Sequence, residues 1–133
     1  MSKLLTVEQL IPYAQTIVKT LRKRFFHFAS LVFFLSGLYH LIGIFYPSFT
    51  EPASTTRHIV FVLICVFFSI GMWKQGKAIL LAFVPYLIQQ LHSHRVYGLE
   101  VWNTQHRIDW ASVGVFIFLP ITFIFLLIDS RNV

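Results

Sequence analysis

The sequence has 133 residues, of which 56% are hydrophobic and 12% are charged, and its formal net charge is +6. A chain of this length forms one domain, and it carries more apolar surface than a small soluble domain can bury. Lys and Arg lie at the ends of apolar segments rather than along one stripe, which argues against a nucleic-acid partner and indicates contact with the lipid bilayer. The single cysteine, Cys65, excludes an intrachain disulfide and a thiolate metal cluster.

Residues 1–24 form a basic, amphipathic N-terminal segment. Apolar residues recur at helical spacing from Val7 to Leu21, and basic residues follow at the end of the pattern. We expect a helix lying on the cytoplasmic face of the membrane, and a docking helix for a partner protein is the alternative. No cleavable signal peptide is visible, so the first span is expected to act as its own signal anchor. The expected membrane-surface residues are Lys19, Arg22, Lys23 and Arg24.

Residues 25–133 contain four apolar segments, each near the length that crosses a bilayer, which takes about 20 residues. Pro85 and Pro120 fall inside two of them and are tolerated in helices that pack against neighbours. The fold class predicted is an all-α membrane protein, an antiparallel bundle of four transmembrane helices preceded by the amphipathic helix. The predicted spans are 25–46, 58–73, 77–92 and 109–128.

The positions of Lys and Arg predict the orientation of this bundle. One side of the membrane receives Lys19, Arg22, Lys23, Arg24, Lys74, Lys77 and Arg131, and the other side receives only Arg57, Arg95 and Arg107. Cytoplasmic loops carry the excess of basic residues. Both termini are therefore predicted to be cytoplasmic, in what we interpret as a bacterial inner membrane.

Histidines gather at one end of the predicted bundle. Of the six in the chain, five fall on the outer side of this topology: His40, His58, His92, His94 and His106. Histidine is the commonest metal ligand and exchanges protons near neutral pH. The outer end is therefore a candidate site for a metal ion, a haem, a proton or a polar ligand.

Three stripes of small and polar residues indicate which helix faces pack together. Without a hydrophobic force between helices in lipid, such residues belong on helix interfaces. The stripes are Ala29, Phe33, Ser36, His40 and Gly43; His58, Val62, Cys65, Ser69 and Met72; and Ala78, Ala82, Pro85, Gln89 and His92.

Packing these stripes together predicts a polar pocket that opens outward. His40 lies about 9 Å inside the outer interface, too deep to reach water unaided. It is either part of a ligand site or a packing residue that donates one hydrogen bond. The predicted ligand-binding residues are His40, Ser36, Tyr86, Gln89 and His92.

A metal site is a second expectation for the same end. Its candidate ligands are His92, His94, His58 and His106. Because helix neighbours two apart point to nearly opposite sides, His92 and His94 can share an ion only if the helix ends by Leu91. Otherwise they are solvated, as His58 and His106 are expected to be. A bis-histidine haem on His40 and His92 is a further alternative.

Signs of catalysis by the chain alone are weak. Only Glu51 and Glu100 are acidic in the outer loops, which disfavours a paired-carboxylate site. Ser93 has no orienting carboxylate nearby in sequence. The outer loop 95–107 mixes apolar and charged residues and is predicted to rest on the outer interface over the mouth of the bundle, where it could act as a lid. Whether the chain is an enzyme stays open, with non-catalytic action favoured.

The end of the first span, Gly37-Leu38-Tyr39-His40 followed by Pro47, resembles the Gly-x-x-His…Pro pattern that closes the first helix of DoxX-like small membrane proteins. The layout of four spans, with Arg57 opening the second, is also similar. The resemblance implies a four-helix bundle, linked in some relatives to quinone-dependent oxidation of sulfur compounds, and it assigns importance to His40 and Pro47.

Two functions follow as hypotheses. In the first, a small inner-membrane protein binds a quinone or another amphipathic ligand in its histidine-rich pocket and has a redox-accessory role. In the second, the chain is a non-catalytic structural subunit that binds other membrane subunits, or further copies of itself, through its apolar faces. A transporter is less favoured, because the spans carry too few charges.

Overall fold

The computed structural model describes residues 7–49, 53–75 and 78–131. Within these ranges the chain forms helices and no strand, which confirms the all-α prediction. The chain divides into two compact units, Met1–Gln75 and Gly76–Val133, and the first holds α1 and α2 while the second holds α3 and α4. The helices are α1 Val7–Phe45, α2 Thr55–Lys74, α3 Ile79–Gln105 and α4 Trp110–Arg131, and a 3₁₀ turn, Pro47–Phe49, follows α1.

Helix α1 is continuous over 39 residues. The predicted boundary between an amphipathic segment and a first span, at residues 24 and 25, therefore falls inside one helix. Pro12 is accommodated near its start, and Thr16 Oγ1 donates a hydrogen bond to the Pro12 carbonyl at 2.9 Å. That residues 7–24 lie on a membrane surface stays a prediction.

Helix α2 matches its predicted span closely because both of its ends carry capping residues. The Ser54 hydroxyl accepts a hydrogen bond from the Arg57 backbone N–H at 3.2 Å, which satisfies a donor that the first turn leaves open. At the other end Gln75 takes a left-handed conformation, φ 52°, and its N–H bonds back to the last turn.

Three described helices are long and apolar enough to cross a membrane: Ile11–Phe45, Thr55–Lys74 and Trp110–Ser130, with mean hydropathies of 1.9, 1.8 and 2.6. These correspond to the first, second and fourth predicted spans. The third predicted span, 77–92, is not supported, and its start at Lys77 lies outside the described residues. Helix α3 has sufficient length but is too polar, because its middle contains Gln89, Gln90, His92, Ser93, His94 and Arg95.

Helix α3 also extends further than the sequence indicated. The segment 95–107 was expected to form a loop, yet the helix continues to Gln105 and ends at His106, whose φ of 51° is left-handed. The expectation of a loop is therefore wrong for residues 95–105, and a lid role for this segment stays a prediction. No proline interrupts residues 95–105, so nothing in this stretch blocks the backbone hydrogen bonds of a continuing helix.

Helices α1 and α2 pack through the first two predicted stripes. Ala29, Phe33, Cys65 and Met72 are buried, and the ring centroids of Phe33 and Phe68 lie 5.3 Å apart. A Cβ atom added at Gly37 would lie 3.2 Å from the Cys65 Cβ, so this glycine permits the close approach of the two helices. Both stripes are thus confirmed as packing faces.

The third stripe does not pack against α4, and that it faces α1 and α2 stays a prediction. Pro85, Gln89 and His92 are exposed, whereas the buried residues of α3 are Ile79, Phe83, Gln90 and Val101. Small residues suggested the face of α3 that packs, but the buried face is rotated by one residue and is dominated by larger side chains. Gly98 nevertheless lies on the packed side, because an added Cβ would lie 3.5 Å from the side chain of Ser112.

Candidate functional site: a histidine pair between α1 and α2

His58 occupies the first turn of α2 and is 1% exposed. The expectation that it is solvated is therefore wrong. His58 was expected at the end of a loop, but α2 already starts at Thr55, and α1 covers the imidazole ring of His58. A polar ring at such a site needs a hydrogen-bond partner, because an unsatisfied buried polar group costs about 1–3 kcal/mol.

The partner is His40 on α1. The two Nδ1 atoms lie 3.1 Å apart, which is hydrogen-bond distance. One Nδ1 must carry a proton and donate it, while the other must accept with its lone pair. In the neutral pair, one ring therefore presents a lone pair at Nε2 and the other an Nε2–H. Two fully protonated rings would place hydrogens on both Nδ1 atoms and break the contact.

Aromatic rings surround the half-buried His40. The Phe61 ring is nearly parallel to it, at 4.9 Å between centroids and 20° between planes, and Tyr39 meets it edge-on at 5.4 Å. The Arg57 guanidinium carbon lies 5.8 Å from the centroid of Phe61, within cation–π range. The pair thus combines proton-exchanging nitrogens with flat apolar surface and a nearby cation.

Both histidines lie a short way inside the ends of their helices. His40 precedes the last residue of α1, Phe45, by five residues, and His58 follows the first residue of α2, Thr55, by three. At 1.5 Å per residue these positions are about 7 Å and 5 Å from the helix ends. If α1 and α2 cross a membrane, the pair lies just inside the hydrocarbon, where amphipathic ligands are accessible.

The other predicted ligand-binding residues divide between the two units. Ser36 lies one turn before His40, and its Oγ accepts a hydrogen bond from Cys65 Sγ at 3.6 Å. Tyr86, Gln89 and His92 lie on α3, in the second unit. Their convergence with His40 stays a prediction.

Neighbouring side chains already engage Gln89. Gln90 Nε2 donates a hydrogen bond to Gln89 Oε1 at 2.6 Å, and Gln89 Nε2 donates one to Ser93 Oγ at 2.9 Å. An amide has four hydrogen-bonding sites, so these two contacts leave capacity for a further partner.

The structure does not meet the condition under which His92 and His94 were predicted to share a metal ion. Because α3 continues past Leu91, His92 and His94 point to different sides of one helix and do not share an ion. His106 is exposed at the end of α3, and His94 bonds to Ser112 at 3.0 Å. Across the described ranges no group of three or more His, Cys, Asp and Glu side chains could hold a metal ion. A haem held by His40 and His92 stays a prediction.

Sequence reasoning missed the pairing of His40 with His58, although the signal was present. His40 lies a few residues before the end of α1, and His58 lies a few residues after the start of α2. An antiparallel hairpin therefore places the two residues at a similar height along the paired helices. Gln90 and Ser112 were also missed, although each recurs at helical spacing with buried residues: Gln90 with Phe83 on α3, and Ser112 with Leu119 on α4.

Comparison with known proteins adds no assignment: no family model, no curated protein and no solved structure matches the chain.

Proposed function

We propose that this chain is a small integral membrane protein that binds an amphipathic, quinone-like ligand at the His40–His58 pair. The observation that carries the proposal is the 3.1 Å contact between the two Nδ1 atoms, which joins two apolar helices near their ends. Buried ionisable residues inside membrane segments are costly, so they are retained mainly where they bind or transfer something.

Membrane insertion is supported by the surfaces of the helices. Large apolar side chains are exposed along the two helices of the first unit, among them Leu31, Phe34, Leu63, Phe67 and Ile70. A water-soluble protein rarely exposes contiguous apolar surface of this extent, whereas lipid tails solvate it well. We further propose a bacterial inner membrane, with Lys19, Arg22, Lys23 and Arg24 at its cytoplasmic surface.

The chemistry of the pair suits a ligand with carbonyl or hydroxyl groups on a flat ring. An Nε2–H on His40 donates to a carbonyl oxygen, and the same nitrogen without its proton accepts from a hydroxyl. In either case His58 Nδ1 supplies the complementary donor or acceptor, because the proton between the two Nδ1 atoms can belong to either ring. Phe61 and Tyr39 offer stacking surface for such a ring. We propose that Ser36, Tyr86, Gln89 and His92 complete the pocket, and that the protein assists a redox partner rather than catalysing alone.

The test is saturable binding of a short-chain benzoquinone to the purified protein in detergent, followed by titration calorimetry. We expect His40→Asn to weaken binding by about tenfold or more, since it removes a hydrogen bond and leaves His58 without its partner. His106→Asn is the matched control, because His106 is exposed at the end of α3 and should leave binding unchanged. Absence of saturable binding by the unmodified chain, or equal affinity in His40→Asn, rejects the proposal.

A structural subunit of a larger membrane complex is the second candidate. Gln89 and His92 are exposed on a helix that packs beside an apolar one, and polar groups at membrane depth need polar partners. Another membrane protein, or a second copy of this chain, would supply them. Co-purification with a stoichiometric partner after mild solubilisation supports this candidate, and isolation as a monomer under the same conditions counts against it.

A further inference from the structure

Three side chains form a hydrogen-bonded row between α4 and α3. Ser112 Oγ donates a hydrogen bond to Asp109 Oδ2, and the same Oγ lies 3.0 Å from His94 Nδ1. The backbone N–H of Ser112 also donates to Asp109 Oδ2, at 3.1 Å. Ser112 is buried, while Asp109 and His94 are half-buried.

Hydrogen counting fixes the direction of these bonds. Ser112 has one hydroxyl proton and gives it to the carboxylate of Asp109, so the Nδ1 of His94 must carry a proton and donate it to Ser112 Oγ. This order holds while Asp109 is a carboxylate. The order is reversed when Asp109 is protonated and the single ring proton of His94 is on Nε2: Asp109 then donates to Ser112 Oγ, and Ser112 donates to His94 Nδ1.

Moving from one order to the other requires no displacement of heavy atoms. In the reversed order the Nδ1 of His94 carries no proton, so the proton on Asp109 passes to Ser112 Oγ while the hydroxyl proton of Ser112 passes to His94 Nδ1. Asp109 returns to its carboxylate form, and His94 becomes an imidazolium. Release of the Nε2 proton to water then leaves His94 with its single ring proton on Nδ1, which is the first order, and uptake of a proton at Nε2 reverses the sequence. The number of protons is conserved at every step.

The row leads inward from the end of a candidate membrane span. Asp109 directly precedes α4, whose first residue, Trp110, is 73% exposed. Ser112 follows Trp110 by two residues, about 3 Å along the axis of α4, and His94 lies beside it on α3. Rows of acidic and histidine side chains are the usual proton paths of membrane proteins.

We propose that Asp109, Ser112 and His94 form a proton relay that exchanges protons between the aqueous edge of α4 and His94 on α3. The relay requires that α4 crosses a membrane, but it does not depend on ligand binding at His40 and His58. The competing account is purely structural, with Asp109 only capping α4 and Ser112 only holding α3 in place.

Nuclear magnetic resonance of the full chain with ¹⁵N-labelled histidine, in lipid nanodiscs, separates the two accounts. The measured quantity is the exchange rate of the His94 ring proton at Nδ1 with water, and loss of the signal in His94→Asn assigns it. Asp109→Asn keeps the cap and the hydrogen-bond acceptor but cannot take up a proton. We expect it to slow the exchange by about tenfold or more. Ser112→Thr keeps the hydroxyl and should leave the rate near that of the unmodified chain.

A structural role predicts a different result. If Asp109 only caps α4, Asp109→Asn keeps that role and leaves the exchange unchanged, and any loosening of the contact accelerates the exchange by exposing His94. Either outcome overturns the relay. Ser93→Ala is the matched control, because Ser93 adjoins His94 but bonds to Gln89 instead. Slowing of the exchange by Ser93→Ala to the same extent would also overturn the relay. The unfolding midpoint of each variant shows that the fold is retained.

Discussion

The two helical hairpins of this chain use different means to hold their helices together. In the α1–α2 hairpin both helices are apolar enough to cross a membrane, and their contact relies on a close backbone approach at Gly37, buried aromatic rings and hydroxyl groups that bond across the interface. In the α3–α4 hairpin only α4 is so apolar, and the described polar contact between the helices lies near the start of α4, at Ser112. Small residues and paired polar groups, rather than apolarity itself, therefore bring apolar helices together, as expected where lipid competes for apolar surface.

The largest expected effect comes from filling the space at Gly37. Gly37→Leu adds a side chain where even a Cβ atom would lie 3.2 Å from Cys65, so α1 and α2 must separate. We expect a loss of about 1–3 kcal/mol in the free energy of unfolding. Because Cys65 is the single cysteine and is 1% exposed, its rate of maleimide labelling in detergent reports the separation directly.

Gly114→Leu is the matched control from the other hairpin. Nothing lies within 4 Å of a Cβ atom added at Gly114, so the same substitution meets open space there and gains helix propensity. Faster labelling of Cys65 in Gly37→Leu and not in Gly114→Leu supports the contrast. Equal labelling in both variants would mean that the close approach at Gly37 does not hold the hairpin together.

The next effect concerns the starts of α2 and α4, which are capped differently. Among the described residues Ser54 bonds within its own helix, whereas Asp109 bonds to Ser112, which also contacts His94 on the neighbouring helix. We expect Asp109→Ala to lower the unfolding free energy by about 1–2 kcal/mol and Ser54→Ala by about 0.5–1 kcal/mol. Denaturation in mixed detergent micelles, followed by circular dichroism, measures both. A larger loss in Ser54→Ala would contradict the role given to Ser112.

How much of the fold the sequence predicts depends on the helix. Helix α2 was predicted nearly to its ends, because a continuous apolar run is bounded by Ser54 and by the basic, polar turn after Trp73. Helix α3 was not, because the polar and charged residues after Leu91 suggested an early end. Backbone hydrogen bonds continue through them to Gln105, since polar side chains do not break a helix whose backbone is satisfied.

The candidate site was predicted only in part. Depth alone identified His40 as a residue that needs a partner, and this reasoning requires only helix geometry. The identity of the partner depends on how α1 and α2 are rotated against each other, which the small residues decide through packing at Gly37 and Cys65. Periodicity gives the face of each helix but not its register along the neighbour, so His58 was expected in solvent instead.

The smallest effect concerns the two serines that link α1 and α2 in mid-helix. Ser30 Oγ donates to the Ser69 carbonyl at 2.7 Å, and Ser69 Oγ donates to the Ser30 carbonyl at 3.0 Å. Each carbonyl keeps its place in its own helix, so removing a hydroxyl leaves no unsatisfied acceptor. We therefore expect Ser30→Ala and Ser69→Ala to cost only about 0.6 kcal/mol each, the average for hydrogen bonds between membrane helices.

A double-mutant cycle tests whether the two bonds act together. The hydroxyl oxygens lie 3.2 Å apart, so each side chain orients the other, and the double variant should lose less than the sum of the single losses. Ser130→Ala supplies the baseline from α4, because that exposed hydroxyl bonds only to the carbonyl of Leu127 in its own helix. Strict additivity would mean that the serines are two separate contacts, and close packing at Gly37 would then account for the pairing of α1 and α2 without their cooperation.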